Sequence, residues 1–253
     1  MWNELEREAV SILKRLEAHG FEAFLVGGYV RDKVLGKDVK DIDIATSAKP
    51  EQVMALFKRT VPTGLKHGTV TVISGGKSFE VTTYRKESEY EDFRRPAEVE
   101  FITDLEEDLR RRDFTMNAMA MDADGQIRDP FGGREDLASR VLRAVGDPEE
   151  RFQEDALRML RCVRFASTYH LDVEPGTWEA LLKHRALLQH VAMERVRMEL
   201  ERMMEGPRPF AGWQLLMQSG LAAYTKEAFL SPYDRLDPDH LPKVLQVLDQ
   251  LPE

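Results

Sequence analysis

Two aspartates stand two positions apart, at Asp41 and Asp43, in a segment whose alternating pattern predicts a β-strand. Because successive side chains of a strand point to opposite faces, both carboxylates lie on one face, and Ile42 and Ile44 lie on the other. Two neighbouring carboxylates repel each other unless a cation lies between them, and Mg²⁺, which prefers oxygen ligands, suits such a pair. Two such ions could activate a hydroxyl group and stabilise a leaving pyrophosphate.

A third carboxylate is offered by the segment 69–84, which alternates apolar and polar residues in two arms joined by two glycines. This pattern is typical of a β-hairpin. Glu80 lies between Phe79 and Val81 in the second arm, so its side chain points away from the core face. The hairpin therefore makes Glu80 the candidate that completes a catalytic set with the two aspartates.

An Asp-x-Asp pair is weak evidence by itself, because most such pairs are solvated surface residues. The context upstream strengthens it. Gly27 and Gly28 lie between a predicted strand and a predicted helix, where backbone amides without a Cβ nearby can approach a phosphate. Arg31 on that helix could add a charge-assisted contact to a triphosphate. The alternative is an ordinary tight turn, and a dinucleotide-binding motif is excluded because the G-x-G-x-x-G spacing is absent.

Up to about residue 143 the patterns alternate between helix and strand, and beyond it they are helical. A helix is predicted over 4–19, a loop over 86–98, and a helix that begins at an N-cap Thr103. Asp147 and Pro148 are a strong helix start, and the pattern predicts one continuous helix from there to about residue 168.

Composition limits the classes of protein that remain. The chain has 253 residues, no apolar run near the ~18 residues that span a bilayer, and a start that lacks signal-peptide features. Its single cysteine, Cys162, excludes an intrachain disulfide, so a cytoplasmic location is expected. A net charge of −9 argues against a surface coated with basic residues for nucleic acid, although local arginine patches remain.

Five motifs resemble, in family order, those of the class II tRNA nucleotidyltransferases, the CCA-adding enzymes within the polymerase-beta-like superfamily that also contains poly(A) polymerases. Each motif is weak alone, but five in order are highly specific. The matching segments are 25–32 (LVGGYVRD), 40–46 (KDIDIAT), 111–118 (RRDFTMNA), 129–133 (DPFGG) and 154–161 (EDALRMLR).

The resemblance implies an α+β fold with three parts. The first is a nucleotidyltransferase head over 1–143, with a mixed sheet of about five strands flanked by helices. An all-helical neck over 144–205 follows it. Residues 206–253 are then the start of a helical body domain that we expect to be incomplete, because family members are longer.

The resemblance also implies roles for individual residues. Asp41 and Asp43 bind Mg²⁺ and act in catalysis, where the hairpin makes Glu80 the third candidate. The expected contacts to the incoming nucleotide are made by Gly28, Arg31, Arg112, Asp155, Arg158, Arg161 and Arg164. Asp113 and Asn117 fall in the motif near the ribose. From the sequence alone, the run 110–112 could equally be a solvated turn of helix.

The resemblance makes Asp155 and Arg158 the residues that select the base. A carboxylate only accepts hydrogen bonds and a guanidinium only donates them, so together they match the amino donor and ring-nitrogen acceptor of cytosine and adenine. Uracil and guanine present the reverse pattern. Spacing alone instead favours a solvated face on which Asp155 and Arg158 pair with each other.

The expected activity is template-independent addition of C, C and A to the 3′ end of tRNA. The partners are then the tRNA 3′ end, CTP and ATP, with no membrane partner, and a homodimer is an open alternative. A poly(A) polymerase, an enzyme that adds only CC or only A, and a catalytically silent RNA-binding protein are the rival hypotheses.

Overall fold

The computed structural model describes residues 2–39, 41–91, 95–226 and 240–250, with the side chains of 87–98, 240 and 241 left out. The chain forms two compact units. The first contains residues 1–88 and 97–135, and the second contains residues 89–96 and 136–253.

The first unit alternates helices with strands. Its helices are α1 (Glu4–Glu17), α2 (Gly28–Val34), α3 (Pro50–Leu56), α4 (Leu105–Arg110) and the start of α5 (Gly133–Ala138). Its strands are β1 (Ala23–Val26), β2 (Asp43–Thr46), β3 (Thr60–Gly64), β4 (Thr69–Ser74), β5 (Lys77–Thr83), β8 (Ala120–Met121) and β9 (Ile127–Arg128), and β6 (Arg85–Glu91) and β7 (Arg95–Phe101) run on from it. The α+β class is therefore confirmed.

Seven strands form one mixed sheet in the order β3-β4-β5-β2-β1-β8-β9. The expectation was a mixed sheet of about five strands. Five of the seven have four or more residues, and β8 and β9 are two-residue additions at one edge. Helix α1 packs on β1 and β2, while α3 packs on β4 and β5. The core is made of fully buried apolar side chains such as Leu13, Leu25 and Val81, and it holds the ends of the central strands in place.

Two local predictions in this part of the chain are wrong. The segment 86–98 was expected to be a loop because it is highly charged, but β6 and β7 pair into a two-stranded sheet there, with 92–94 outside the described residues. The N-cap of α4 is Asp104 instead of Thr103. The Asp104 carboxylate accepts from the amides of Glu106 and Glu107, at 2.8 and 3.2 Å.

Besides parts of β6 and β7, the second unit contains a short parallel pair of strands, β10 (Val141–Leu142) and β11 (Asp172–Val173), and is otherwise helical. Its helices are α6 (Pro148–Glu154), α7 (Leu157–Tyr169), α8 (Pro175–His184), α9 (Met193–Met204), α10 (Pro209–Ser219) and α11 (His240–Leu248). No helix of the described part of the chain is both long and apolar enough to cross a membrane. The finer division into neck and body stays a prediction.

The predicted continuous helix over 147–168 is wrong at one position. Asp155 has extended backbone angles, φ −140° and ψ 103°, and separates α6 from α7. The start of α6 is as predicted, since the Asp147 carboxylate accepts from the amide of Glu149 at 2.9 Å. The predicted apolar stripe is also present, because Phe152, Met159 and Val163 are fully buried.

Candidate functional site

Two of the three candidate catalytic carboxylates lie on adjacent central strands of the first unit, and the third precedes one of these strands. Asp43, the first residue of β2, pairs with Val26 of β1 and with Glu80 of β5. Asp41 precedes the strand by two residues. All three acids are exposed, whereas Ile42 is buried, so the predicted alternation of faces holds at this edge of the sheet.

The charges around Asp43 are mostly of its own sign. Partial desolvation raises the pKa of Asp43, and the carboxylates of Glu80 and Asp41 raise it further, while the guanidinium of Arg112 opposes them. An ionised Asp43 is thus held at an electrostatic cost, which a bound cation would relieve.

Two guanidinium groups lie against the two glycines that follow β1. A Cβ on Gly27 would be 3.1 Å from Nη1 of Arg112, and a Cβ on Gly28 would be 3.3 Å from Nη2 of Arg31. Gly27 also has φ +68°, a conformation that side chains disfavour. The turn is therefore more than an ordinary tight turn, because it leaves backbone amides and two positive charges at the end of β1 with no side chain between them.

Arg31 is the centre of a buried polar network that brings three predicted site residues together. Its guanidinium donates to both carboxylate oxygens of Asp32, at 2.8 and 2.9 Å, and to Oδ1 of Asn117 at 2.8 Å. The Asn117 amide donates to Asp113 at 3.0 Å. The structure thus places Asp113, Asn117 and Arg31 in one chain of hydrogen bonds beside Gly28.

The run 110–112 divides into one exposed and two half-buried arginines. Arg110 is 48% exposed and pairs with Glu106, so the solvated alternative holds for this residue alone. Arg111 and Arg112 are 18% and 19% exposed and both face Asp108, at 3.0 and 3.5 Å. Asp108 was missed from the sequence, although its spacing of three and four residues from these arginines on a helix would have indicated the contact.

The first unit fits a metal bound by few protein ligands. Among the described residues, no three Asp, Glu, His or Cys side chains are placed to hold a metal ion by themselves. A hard divalent cation at a phosphate site is commonly bound by one or two carboxylates, and the substrate supplies further oxygens. Asp41 and Asp43, exposed and next to Glu80, match such an incomplete set of ligands.

In the second unit, the predicted base-reading pair is not a pair. The Asp155 carboxylate accepts from Arg195 of α9 at 2.8 Å and from the amide of Leu157 at 3.1 Å. Arg158 donates instead to Glu154 at 2.6 Å. The pairing of Asp155 with Arg158 that spacing favoured is therefore wrong, because the extended backbone of Asp155 turns its side chain toward α9.

The other two arginines of α7 are not solvated either. Arg164 donates to Glu199 of α9 at 2.6 Å, and Arg161 lies 3.8 Å from the same carboxylate. Both guanidiniums also stack over the ring of Phe165. Arg195 and Glu199 were not found from the sequence, because no local spacing links α7 to a helix some 35 residues away.

Comparison with known proteins finds family models and relatives that match this chain. The family described as "Poly A polymerase head domain" matches residues 23–143, and that described as "Probable RNA and SrmB- binding site of polymerase A" matches residues 170–229. The CCA-adding enzyme of Anoxybacillus flavithermus is 52% identical over 225 residues, which are 89% of this chain and 57% of that protein.

Two solved structures share the fold. A crystal structure of the Bacillus stearothermophilus CCA-adding enzyme in complex with CTP is 44% identical, with a TM-score of 0.84, and the match covers 98% of this chain and 58% of that one. A tRNA nucleotidyltransferase complexed with a primer tRNA and an incoming ATP analog is 28% identical, with a TM-score of 0.74, over 93% of this chain and 65% of that one.

The chain therefore belongs to the nucleotidyltransferase family of poly(A) polymerases and CCA-adding enzymes. Nucleotidyltransferases of this kind generally use divalent metal ions. The chain spans little more than half the length of the relatives that it matches.

Proposed function

We propose that this chain adds C, C and A in turn to the 3′ end of tRNA, using CTP and ATP and releasing pyrophosphate. One observation carries the proposal above the others: Asp43 lies in register between Glu80 and Val26, next to the diglycine turn and Arg112. Acids for a cation and groups for a triphosphate thus adjoin at one edge of the sheet. The relatives with the same motifs are named CCA-adding enzymes.

In this proposal the tRNA 3′ hydroxyl attacks the α-phosphate of the nucleotide. A new P–O bond forms while the bond to pyrophosphate breaks. Asp41 and Asp43 would hold Mg²⁺, with Glu80 assisting from the neighbouring strand. Two bound Mg²⁺ ions would supply positive charge that makes the hydroxyl easier to deprotonate and neutralises the leaving pyrophosphate.

The groups of the chain that we assign to the triphosphate are Gly28, Arg31 and Arg112. Arg112 is the stronger candidate for a direct phosphate contact, because Nη1 of its guanidinium lies against Gly27. Arg31 already donates to Asp32 and Asn117. We therefore assign it to orienting Asn117 and Asp113 toward the ribose as well.

Base selection is assigned to Asp155 and Arg158. A carboxylate has about four lone-pair sites, so Asp155 can keep its contact with Arg195 and still accept from the amino group of cytosine or adenine. Arg158 is a donor only, and its Nη1 donates to Glu154 at 2.6 Å and to the backbone carbonyl of Arg151 at 3.1 Å. Such a site rejects uracil because a carbonyl would face the carboxylate. Arg161 and Arg164, both engaged by Glu199, would support this helix.

The test is incubation of the protein with tRNA that lacks its CCA end, CTP, ATP and MgCl₂. The expected product is longer by three defined nucleotides, and Asp43→Ala should lower the rate by about a thousandfold. Asp122→Asn, which changes an acid in a turn of the same unit, is the control and should leave the rate unchanged.

The rival functions give other products in the same assay. A long A tail would identify a poly(A) polymerase. This activity is an alternative because the family that matches residues 23–143 is described as a poly A polymerase head domain. One or two additions would identify a partial enzyme. Binding of CTP without incorporation would identify a silent RNA-binding protein. A tRNA substrate and a single thiol, Cys162, both favour the cytoplasm as the site of action.

A further inference from the structure

Asp108 is a buried acid on α4 that no role described so far uses. Its side chain is 1% exposed. Oδ1 accepts three hydrogen bonds: from the backbone amide of Arg85 at 3.1 Å, and from Nε and Nη2 of Arg111 at 3.1 and 3.0 Å. Oδ2 faces Nη2 of Arg112 at 3.5 Å. One carboxylate thus joins the first residue of β6 to both arginines.

Asp108 is held in its charged form. Burial by itself raises the pKa of Asp108, but Arg111, Arg112 and the amide of Arg85 outweigh burial and bring the pKa below its usual value. Its Oδ2 and the Nε of Arg112 are both buried without a hydrogen-bond partner among the described residues. The contact between Asp108 and Arg112 is therefore an ion pair at 3.5 Å without a hydrogen bond.

Three acids of the same unit favour the charged form of Arg112: Asp108 most, then Asp43, then Asp113. If Asp108 were neutral, Asp43 would attract Arg112 more strongly than Asp113 does, so the guanidinium would be drawn toward Asp43. Arg112 would then form an ion pair with Asp43 and compete with a cation for this carboxylate.

We propose that Asp108 is a positioning residue, which keeps the guanidinium of Arg112 against Gly27 and away from Asp43, and which links Arg112 to the base of the β6–β7 hairpin through the amide of Arg85. The proposal rests on the function proposed above, in which Arg112 binds the triphosphate and Asp43 the cation. Asp108 acts only through Arg112 and touches neither ligand.

The first experiment is a double-mutant cycle with the 253-residue chain. Asp108→Asn keeps the shape of the side chain and removes its charge. It should lower kcat/KM for CTP about tenfold and raise the MgCl₂ concentration for half-maximal rate several-fold. In an Arg112→Ala background the same change should matter less than twofold, because the group it acts through is gone. Asp108→Glu should restore part of the loss.

The matched control is Asp104→Ala. It removes the N-cap of the same helix, so it weakens α4 without touching an arginine. Its effect on kcat/KM should be the same with Arg112 present or absent. Equal losses from Asp108→Asn in both backgrounds, or an unchanged MgCl₂ requirement, would overturn the proposal.

Equilibrium binding of CTP in MgCl₂, measured on the same four proteins of the cycle, separates this inference from the proposed function. If the parent protein binds CTP but does not extend tRNA, the proposed function fails, and coupling of Asp108 to Arg112 in the binding constants still supports the positioning role. If the parent extends tRNA and the two changes are independent, only the role of Asp108 fails. A parent that neither binds CTP nor extends tRNA overturns both.

Discussion

The acids of the first unit and those of the second have opposite surroundings. Asp41, Asp43 and Glu80 are exposed, lie near one another, and form no salt bridge with any described residue. In the second unit, Asp155 lies 2.8 Å from Arg195 and Glu199 lies 2.6 Å from Arg164. The three acids of the first unit repel one another, whereas Asp155 and Glu199 are each neutralised by an arginine of the protein.

This difference indicates what each group is prepared for. An uncompensated cluster of acids lowers the stability of the fold and suits a site whose charge is balanced by a cation that binds from outside. A compensated acid is held in one orientation before any ligand arrives, which suits a site that must distinguish one hydrogen-bonding pattern from another. The acids of the first unit are therefore suited to binding a cation, and those of the second unit to recognising a hydrogen-bonding pattern.

The largest expected effect concerns the compensated acids. Glu199→Gln should destabilise the protein by about 3 kcal/mol, because Glu199 is 4% exposed and its loss leaves Arg164 without a counter-charge in a buried place. Urea unfolding followed by circular dichroism measures the change in the free energy of unfolding.

The control for Glu199→Gln lies on the same helix. Glu201 pairs with Arg197 at 2.6 Å, but the two side chains are 50% and 78% exposed. Glu201→Gln should therefore change stability by less than about 0.5 kcal/mol, as surface ion pairs contribute little. Similar losses of stability in the two variants would mean that the ion pair of Glu199 with Arg164 contributes no more than a surface ion pair. The contrast between the two units would then be wrong.

The acids of the first unit were predictable from the sequence together with their face of the sheet. In the second unit the sequence indicated Asp155, but neither its partner Arg195 nor Glu199. The alternation of Asp41, Ile42 and Asp43 reports the face of a strand directly, and the hairpin placed Glu80 on the same side. These signals are local, since they depend on the pleat of one strand and on one turn. The pairing of Asp43 with Glu80 followed once the strands were known.

The second unit depends on contacts between helices, which leave no local signal. The sequence predicts Asp155 to be an interior residue of a helix that begins at Asp147, whereas its backbone is extended and its carboxylate accepts from Arg195 and the Leu157 amide. The paired strands β6 and β7 were missed for a related reason. Backbone pairing can hold a charged hairpin together, whereas composition alone indicates a loop.

The second prediction tests whether the compensated acids serve recognition. Asp155→Asn should raise the ratio of UTP to CTP incorporation by about tenfold or more, because the amide can donate to the carbonyl of uracil where the carboxylate could only accept. Its Oδ1 can still accept from the Leu157 amide, so α7 should begin as before. The measurement is single-nucleotide extension of tRNA with each triphosphate separately.

The control for base selection is Asp147→Asn. Asp147 caps α6 through the amide of Glu149, and asparagine caps a helix equally well. This variant should keep the parent ratio of UTP to CTP incorporation. If the ratio is unchanged in Asp155→Asn as well, base selection belongs to another residue. The ion pair of Asp155 with Arg195 would then have no role in base recognition.

The smallest expected effect concerns the uncompensated acids. Desolvation and the nearby carboxylates raise the pKa of Asp43 in the folded chain, so the unfolded chain ionises first as the pH rises. The ionised carboxylate of Asp43 therefore lowers the free energy of unfolding. This loss develops as the pH rises from the unfolded to the folded pKa, and it is fully present at neutral pH. Without metal, Asp43→Asn should therefore raise Tm at pH 7 by about 1 °C, a modest gain for an exposed group. The gain in Tm should vanish below the usual pKa of an aspartate, near 3.8.

In MgCl₂ the change in Tm should have the opposite sign, because only the parent keeps the carboxylate to which a cation would bind and so stabilise the fold. A Tm of Asp43→Asn below that of the parent in metal-free buffer at pH 7 would show that the protein itself already compensates this acid.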